Sequence, residues 1–543
     1  MSLLLISCVF TFRSSVSFLT CHSCLFHFFM QSWLFFFISL CRVGNSGYAL
    51  YKYAYGPYTL MLSISTMGLP LAVSKFVSKY NGMGNYRAGQ DLLKFGLYLM
   101  IFTGMLSSII LYSFAPFLAE MVISKHDSTG NKLEDVIYVI RLVSFALLIV
   151  PPMSLLRGYF QGNQSMGPSA LSTILEQVVR VIFIVLGAYI VIRFGHSVTE
   201  AVGIGTFGAF VGAIAGLGFL TFIYHKRRIL IKKQVTDSDS NQRIKPLPMF
   251  KELISYAIPF VLVGLAIPIY QNIDTFTINV LFQSIGYKQD QAESINSVIG
   301  LAQILVMVPV SLATAFGMSL LPGITSSYVK GNLKEVKEKM NKTFQILMFF
   351  TLPAAIGLCL LGKPIYIMIF GMNNSPVLGG VILQWYAPMA ILFALFTVTA
   401  SILQGINQQK KVIIGMFLGI VIKLILNFLL LTNFKEIGPV LATYGGYTVS
   451  VLYNFYLIKK AINYKLFPLV RALALPVSLV IVMSLVVLIA NYLVTNYLAA
   501  KLSMYHLAIT TSLFCVSMGG IVYIGMGLKT KALREVLVRR KNA

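Results

Sequence analysis

The sequence predicts an all-α polytopic membrane protein, and three observations carry that prediction. Apolar residues make up 57% of the 543-residue chain and charged residues only 11%, against roughly 25% charged in ordinary globular chains. Mean hydropathy is +0.80, so there is too little polar surface to cover a soluble domain. The apolar residues fall in continuous runs of about 20, the length that spans a bilayer core as a helix. Transmembrane barrel strands would instead be alternating runs of about 10 residues.

Taken in order, the predicted spans are 17–41, 48–77, 92–119, 135–160, 169–193, 201–224, 251–283, 296–325, 343–371, 380–404, 412–431, 437–458, 469–495 and 503–527. That makes about 14 transmembrane helices. The formal net charge of +26 sits in the loops between them, which points to membrane orientation rather than nucleic acid. One set of loops is basic: Lys79 and Arg87; Lys226, Arg227, Arg228, Lys232 and Lys233; Lys330, Lys334, Lys337 and Lys339; Lys410 and Lys411; Lys459 and Lys460; and the tail with Arg534, Arg539, Arg540 and Lys541. The alternate set is acidic or poor in cations, with Asp127, Glu134 and Asp135 in one loop and Asp290 and Glu293 in another. Positively charged loops stay cytoplasmic, so both termini are expected there.

An internal repeat organises the spans. QGNQSMGPSALSTILEQVVRVI at 161–182 aligns with QGINQQKKVIIGMFLGIVIKLI at 404–425. Gln161-Gly162 matches Gln404-Gly405, and Arg180 matches Lys423. Gly84-Asn85 matches Gly331-Asn332, and Pro116 matches Pro364. Copies six spans apart share an orientation, so two six-helix lobes are expected, related by a pseudo-two-fold along the membrane normal. Two extra C-terminal helices follow. The expected divisions are an atypical segment 1–43 overlapping the first span, an N-lobe 44–224, a basic cytoplasmic linker 225–250, a C-lobe 251–458, and 459–543 with the last two spans and a basic tail. The abrupt change in composition before VGNSGYALY raises the reading that 1–43 is not native sequence, from a shifted frame or a wrong start.

The candidate functional residues are the charges inside apolar runs. Such charges are costly and face a bundle interior or a watery cavity. Glu176 and Arg180 lie one turn apart in one lobe, and Lys423 takes the place of Arg180 in the other. Two cations at equivalent positions suit a shared anionic ligand. The alternative is an i,i+4 pair with Lys423 snorkelling to an interface. Gln271, Asn272 and Asp274 follow Pro268 in the seventh span, and Asp274 is the candidate for coupling to a proton or cation; a packing hydrogen bond is the alternative. Arg157 in LLRGYFQG is a gate, a headgroup contact or a positive-inside anchor. Lys52 lies among Tyr48, Tyr51, Tyr53 and Tyr55, which read as an aromatic belt or a sugar-binding surface. Gly203, Gly205, Gly208, Gly212 and Gly216 form a small-residue ridge on the sixth span, suited to close helix packing.

Other signals read as bland. CHSC at 21–24 has metal or redox spacing but no second cysteine pair, and DSDS at 237–240 sits in a polar linker. No metal site, cofactor or catalytic constellation is expected. There is no phosphate-binding glycine loop before a lysine, so nucleotide is not the direct energy source.

Four stretches carry a family resemblance: YAYGPYTLMLSISTMGLPLAVSKFVSKYN (53–81), LLRGYFQGNQSMGPSALSTILEQVVRVIFI (155–184), VPVSLATAFGMSLLPGIT (308–325) and LQGINQQKKVIIGMFLGIVIKLILN (403–427). From about residue 48 onward the chain resembles the polysaccharide-transport branch of the multidrug/oligosaccharidyl-lipid/polysaccharide exporter superfamily. It looks most like the MurJ-type lipid II flippases of Gram-positive bacteria, which are similar to the SpoVB-like proteins. The resemblance implies a V-shaped pair of lobes, a basic cavity for the pyrophosphate and sugar-peptide head of lipid II, and a groove for the polyprenyl tail beside the last two helices. It implies a plasma-membrane secondary transporter, not an enzyme, with a lipid-linked oligosaccharide as substrate, the bilayer as partner, and a coupling cation or the membrane potential as energy source. The sequence departs from the family in its first helix, where an arginine pattern like SRxLGxxxR is missing and only Arg13 and Arg42 occur. Positions near Leu62 and Ile304, where Gram-negative relatives carry arginine, are apolar, so those roles are not carried over. The alternatives are a flippase for another lipid-linked polysaccharide unit and an ion-coupled multidrug antiporter. A membrane glycosyltransferase or acyltransferase would need clustered carboxylates or histidines at a membrane face.

Overall fold

The computed structural model describes residues 44–66, 68–123, 130–229, 236, 261–262, 264–464 and 467–530. The first expected span, CHSC at 21–24 and DSDS at 237–240 lie outside them, as do residues 251–260 of the seventh. Among the described residues every regular element is helical. They group into two compact units, one ending at Glu293 and the other beginning at Ser294.

The N-terminal unit contains α1 (Gly44–Thr66), α2 (Leu69–Gly82), α3 (Tyr86–Glu120), α4 (Leu133–Ser144), α5 (Ala146–Gly162), α6 (Met166–Arg193), α7 (Val198–Lys226) and α8 (Ala266–Ser284). Helix α9 (Gln289–Val329) begins at its end. The C-terminal unit continues with α10 (Leu333–Leu360), α11 (Gly362–Phe370), α12 (Pro376–Tyr386), α13 (Met389–Gly405), α14 (Gln409–Phe434), α15 (Gly438–Ile462), α16 (Phe467–Leu498) and α17 (Met504–Lys529).

Several spans expected as single helices are broken. The second is α1 plus α2, parted at Gly68, whose φ of 61° only glycine adopts readily. The fourth is α4 plus α5, parted at Phe145. The ninth is α10 plus α11, and the tenth is α12 plus α13, bent by 42°. Pro388 at the latter break cannot donate to the preceding turn, which accounts for the bend. In the seventh span, residues 261–262 and 264 are already helical and the helix breaks at Leu265, three residues before Pro268, whose missing N–H leaves the Gly264 carbonyl without its helical donor.

Nine stretches of the described residues are long and apolar enough to cross a membrane, or ten if the bent pair is one span. One of them, Gln409–Ile462, is 54 residues long and would run about 81 Å if straight. It is a hairpin of α14 and α15. Ser450 Oγ donates to the Gly415 carbonyl at 2.9 Å, a Cβ on Gly445 would meet Leu426, and one on Gly438 would meet Leu431. These pairs march in opposite directions along the two helices.

The repeat is visible in local structure. Gly84 and Gly331 both have a φ of 73°. After each, an asparagine caps a helix: Asn85 accepts from Ala88 N and Asn332 from Glu335 N, both at 3.1 Å. Before α6 and α14, Gln164 and Asn407 take left-handed φ values of 56° and 59°. In both units the helix after that turn pairs antiparallel with the next one, α6 with α7 and α14 with α15. The last two helices, α16 and α17, pack on each other; α16 also packs on α10 and α17 on α11.

Close packing in the N-terminal unit rests on glycine where backbones meet. A Cβ on Gly158 of α5 would lie 2.3 Å from the Pro70 carbonyl oxygen, and one on Gly104 of α3 would lie 2.6 Å from that of Leu147. Gly158→Ala is therefore expected to lower the unfolding free energy by about 1–3 kcal/mol. Gly167→Ala, where nothing lies within 4 Å, should stay within about 0.5 kcal/mol of the parent. Unfolding midpoints of the purified proteins check this, and equal midpoints would refute the contact.

Candidate functional site

The sequence SALSTILEQVVR sets Ser169, Ser172, Glu176 and Arg180 on one face of α6, at spacings of three and four. Two neighbouring helices close around that face. Helix α7 approaches through Gly208, Gly212 and Gly216. A Cβ on Gly212 would lie 2.7 Å from the Glu176 carbonyl oxygen and 2.9 Å from Arg180 Cβ, and one on Gly216 would lie 2.8 Å from Met153 Sδ and 3.4 Å from Arg157 Nη2. Helix α5 brings Arg157 from the other side.

The result is an arginine–glutamate–arginine cluster. Arg157 Nη2 donates to Glu176 Oε2 at 2.8 Å, and Arg180 Nη2 donates to Glu176 Oε1 at 2.5 Å. The Glu176 side chain is 6% exposed, against 18% for Arg157 and 14% for Arg180. The two arginines are held differently. Arg157 also donates to Ser172 Oγ from Nε at 3.2 Å and from Nη2 at 2.9 Å. Ser172 Oγ in turn donates to the Gly216 carbonyl at 3.1 Å. The Arg157 carbonyl accepts from Ser169 Oγ at 3.0 Å. Arg180 has its one carboxylate contact, and its buried Nε has no hydrogen-bond partner among the described residues. Arg157 is a fixed member and Arg180 a loosely tethered one.

One carboxylate between two guanidiniums leaves a formal charge of +1. An uncompensated buried charge costs several kcal/mol. Such a cluster persists inside an apolar bundle only where water or an anion meets its exposed edge. Joining Arg157 to the pair goes beyond the sequence reading, in which Glu176 neutralises Arg180 alone.

Two of the four tyrosines around Lys52 turn into the protein. Tyr48, Tyr53 and Tyr58 are buried, while Tyr51, Tyr55 and Lys52 are half-buried. Ring centroids step along α1 at 6.2 Å from Tyr48 to Tyr51, 4.9 Å to Tyr55 and 5.2 Å to Tyr58. Tyr51, Tyr55 and Tyr58 lie within electrostatic range of Arg180.

Helix α8 packs on α1. Gln271 is half-buried; Asn272 and Asp274 are buried. Asn272 Nδ2 donates to the Pro268 carbonyl at 2.8 Å. Its Oδ1 occupies the space where a Cβ on Gly56 would stand, and has no hydrogen-bond partner among the described residues. Asn279, two turns on, donates from Nδ2 to Tyr53 Oη at 2.5 Å and to the Val122 carbonyl at 3.3 Å. That buried pair escaped the sequence reading; its only signal was an asparagine seven residues after Asn272.

Glu293, expected in a loop with Asp290, lies in the second turn of α9 and is 1% exposed. Its carboxylate accepts from Asn131 N, from Asn131 Nδ2 at 2.9 Å and from Gln289 Nε2 at 3.1 Å. Asn131 Nδ2 also donates to the Ser46 carbonyl at 2.9 Å. One asparagine thus ties together the starts of α1, α4 and α9.

In the C-terminal unit, Lys423 is 0% exposed, so it does not snorkel. It follows the first residue of α14 by fourteen positions, as Arg180 follows the first residue of α6 (423 − 409 and 180 − 166). Four residues before Lys423 stands Gly419, where the other repeat has Glu176. In the same unit, Asn454 on α15 is fully buried, donates to Thr399 Oγ1 at 3.1 Å, and keeps an Oδ1 with no hydrogen-bond partner among the described residues.

Helices of this length and apolarity, broken and repeated in this way, define a multi-span α-helical membrane protein. A solved structure of lipid II flippase MurJ in an inward closed conformation superposes with a TM-score of 0.62 at 16% identity, covering 96% of this chain and 99% of that one. An inward-facing multidrug transporter of the MATE family superposes at 0.63 with 14% identity, over 85% and 98%. These show a shared fold. The family model for polysaccharide biosynthesis proteins matches residues 18–328, and that for lipid II flippase MurJ matches residues 250–508. The lipid II flippase MurJ of Bacillus subtilis (strain 168) is 42% identical over 500 residues, 92% of each chain. The chain belongs to the MurJ lipid II flippase family, whose members here are transporters rather than enzymes.

The charge count yields an ordering. Glu176→Gln leaves two guanidiniums unpaired and is expected to cost about 3–5 kcal/mol. Arg180→Gln leaves the Arg157–Glu176 pair intact and should cost about 1–2 kcal/mol. Unfolding midpoints in detergent check this, and an Arg180→Gln protein less stable than Glu176→Gln would refute the shared-carboxylate arrangement.

Proposed function

We propose that this protein carries a polyprenyl-pyrophosphate-linked saccharide, most directly the peptidoglycan precursor lipid II, from the inner to the outer leaflet of a bacterial plasma membrane by alternating access. The observation that carries this reading is the 42% identity over 92% of both chains with a relative named as a lipid II flippase. The surplus positive charge at Arg157–Glu176–Arg180 supports it, because a pyrophosphate is the anion such a cluster suits. Guanidiniums bind phosphate oxygens through paired N–H donors.

In this proposal Arg180 exchanges Glu176 for the pyrophosphate while Arg157, fixed by Ser172, keeps the carboxylate compensated. Lys423 serves as the second cation. Lys52, Gln271 and Asn272 contribute polar contacts to the sugar-peptide head. Asp274 is the coupling residue for a cation or the membrane potential. Both termini lie in the cytoplasm, following the alternation of basic loops. A flippase for another lipid-linked saccharide is the second reading, favoured by the match of residues 18–328 to the broader polysaccharide biosynthesis model.

The test is complementation of a Gram-positive host depleted of its own lipid II flippase, with lipid II at the outer leaflet as the readout. The parent chain should restore growth and outward lipid II. Arg180→Ala and Lys423→Ala should each lower outward lipid II about tenfold while inserting normally. No restored growth and no lipid II outside, with a different lipid-linked saccharide carried to the outer leaflet, would move the assignment to the second reading. Full activity in both alanine variants would refute the two-cation role.

A further inference from the structure

A depression of about 490 Å³ on the N-terminal unit is lined by Tyr112, Glu134, Ile137, Tyr138, Arg141, Leu142 and Phe145. It is separate from the arginine–glutamate–arginine cluster. Glu134, Tyr138, Arg141 and Phe145 form a single stripe along α4, spaced four, three and four residues apart. The stripe lies opposite the buried Val136, Val139, Ile140 and Val143. Tyr112 on α3 forms the facing wall, with its ring 4.8 Å from the Arg141 guanidinium carbon.

The pocket is built rather than incidental. Tyr138 and Leu142 rest in the space left by Gly203, where a Cβ would come within 2.7 Å and 2.9 Å of them. Phe145 is held edge-on by Phe207 and Phe210 of α7. Among the described residues, the buried Nε of Arg141 has no hydrogen-bond partner and no carboxylate pairs with its guanidinium. Tyr112, Tyr138 and Phe145 remain 41%, 43% and 38% exposed, so the rings are open to the surroundings. On a membrane-spanning surface those surroundings are lipid.

Depth supports a headgroup. Leu133–Gly162, α4 and α5 together, forms one 30-residue span, at most about 45 Å long at 1.5 Å per residue given its break at Phe145. A hydrocarbon core of about 30 Å leaves roughly 7 Å beyond it at each end. Glu134 then stands in the headgroup layer. Arg141, about 12 Å along the helix, lies some 5 Å inside the boundary and extends outward to it. The pocket carries one cation and one carboxylate, so it matches a head that is itself neutral overall.

We infer that this depression binds the head of a bilayer phospholipid of the phosphatidylethanolamine class, with the phosphate on Arg141 and the ammonium on Glu134. The aromatic rings cover the glycerol and upper acyl carbons. Phosphatidylglycerol offers the phosphate without the cation for Glu134. Phosphatidylcholine offers a quaternary ammonium that donates no hydrogen bond to a carboxylate.

Native mass spectrometry of the delipidated full-length protein tests this, with phosphatidylethanolamine, phosphatidylglycerol, phosphatidylcholine and a polyprenyl-pyrophosphate saccharide added in turn. One phosphatidylethanolamine should be retained about tenfold better than either other phospholipid. Arg141→Gln should lower that retention about tenfold, and Glu134→Gln should remove the preference over phosphatidylglycerol. Lipid-free unfolding midpoints of both variants should match the parent, which separates lost binding from misfolding. Equal retention of all three phospholipids, a preference for phosphatidylglycerol, retention unchanged by Arg141→Gln, or a shifted lipid-free midpoint would overturn the proposal. So would displacement by the polyprenyl lipid at an Arg141-dependent site.

Discussion

A single carboxylate shared by two arginines inside an apolar bundle constrains much of the N-terminal unit. Glu176 accepts from Arg157 and Arg180 at 2.8 and 2.5 Å, and both guanidiniums are mostly buried. Bringing them to one carboxylate requires α5 and α6 to meet closely, and α7 to lie against both. The glycines at 212 and 216 permit this, since side chains there would strike Glu176, Arg180 and Met153. Small residues at helix contacts are the ordinary route to close approach in a membrane, where burial of apolar surface does not drive helix association.

The two repeats share their local devices and differ at the charge. Both use a glycine with positive φ followed by an asparagine cap, and both enter the cation-bearing helix through a left-handed Gln or Asn. Arg180 and Lys423 stand at the same position of α6 and α14. The first has a carboxylate one turn earlier; the second has Gly419. The N-terminal repeat therefore carries its own counter-ion within the helix, and the C-terminal repeat does not. Exchange of that counter-ion for substrate phosphate is a property proposed for one repeat only.

Hydropathy made the spans legible because a membrane requires a fixed length of continuous apolar helix. Predicted spans and observed helices follow one another in the same order, while nine or ten stretches of the described residues are themselves long and apolar enough to cross a membrane. The break at Gly68 had a local signal, a glycine with Pro70 two residues on, whereas those at Phe145 and Leu361 carry no glycine or proline at the break itself and were not legible. Arg180–Glu176 could be read as an i,i+4 pair, whereas Arg157–Glu176 spans nineteen positions and exists only once α5 and α6 lie together. The tyrosines of α1 were legible only in part. Their composition suggests an interface, but Tyr48, Tyr53 and Tyr58 turn inward. The ridge at Gly208, Gly212 and Gly216 was readable because a spacing of four fixes a helix face. The Glu293–Asn131 contact was hidden because it joins segments 162 residues apart.

The central claim is that the exposed edge of Arg180 meets water and not lipid. Cysteine accessibility in intact cells tests it most directly, using an anionic methanethiosulfonate reagent on Arg180→Cys and on the outward-facing Leu186→Cys of the same helix. The reagent needs an ionised thiol, which forms in water and not in hydrocarbon. Labelling of the Arg180→Cys protein well above both the parent background and the Leu186→Cys protein is the expected result. Labelling of Arg180→Cys no faster than Leu186→Cys would contradict the account, because the charged cluster would then be a sealed packing device with no path to a substrate.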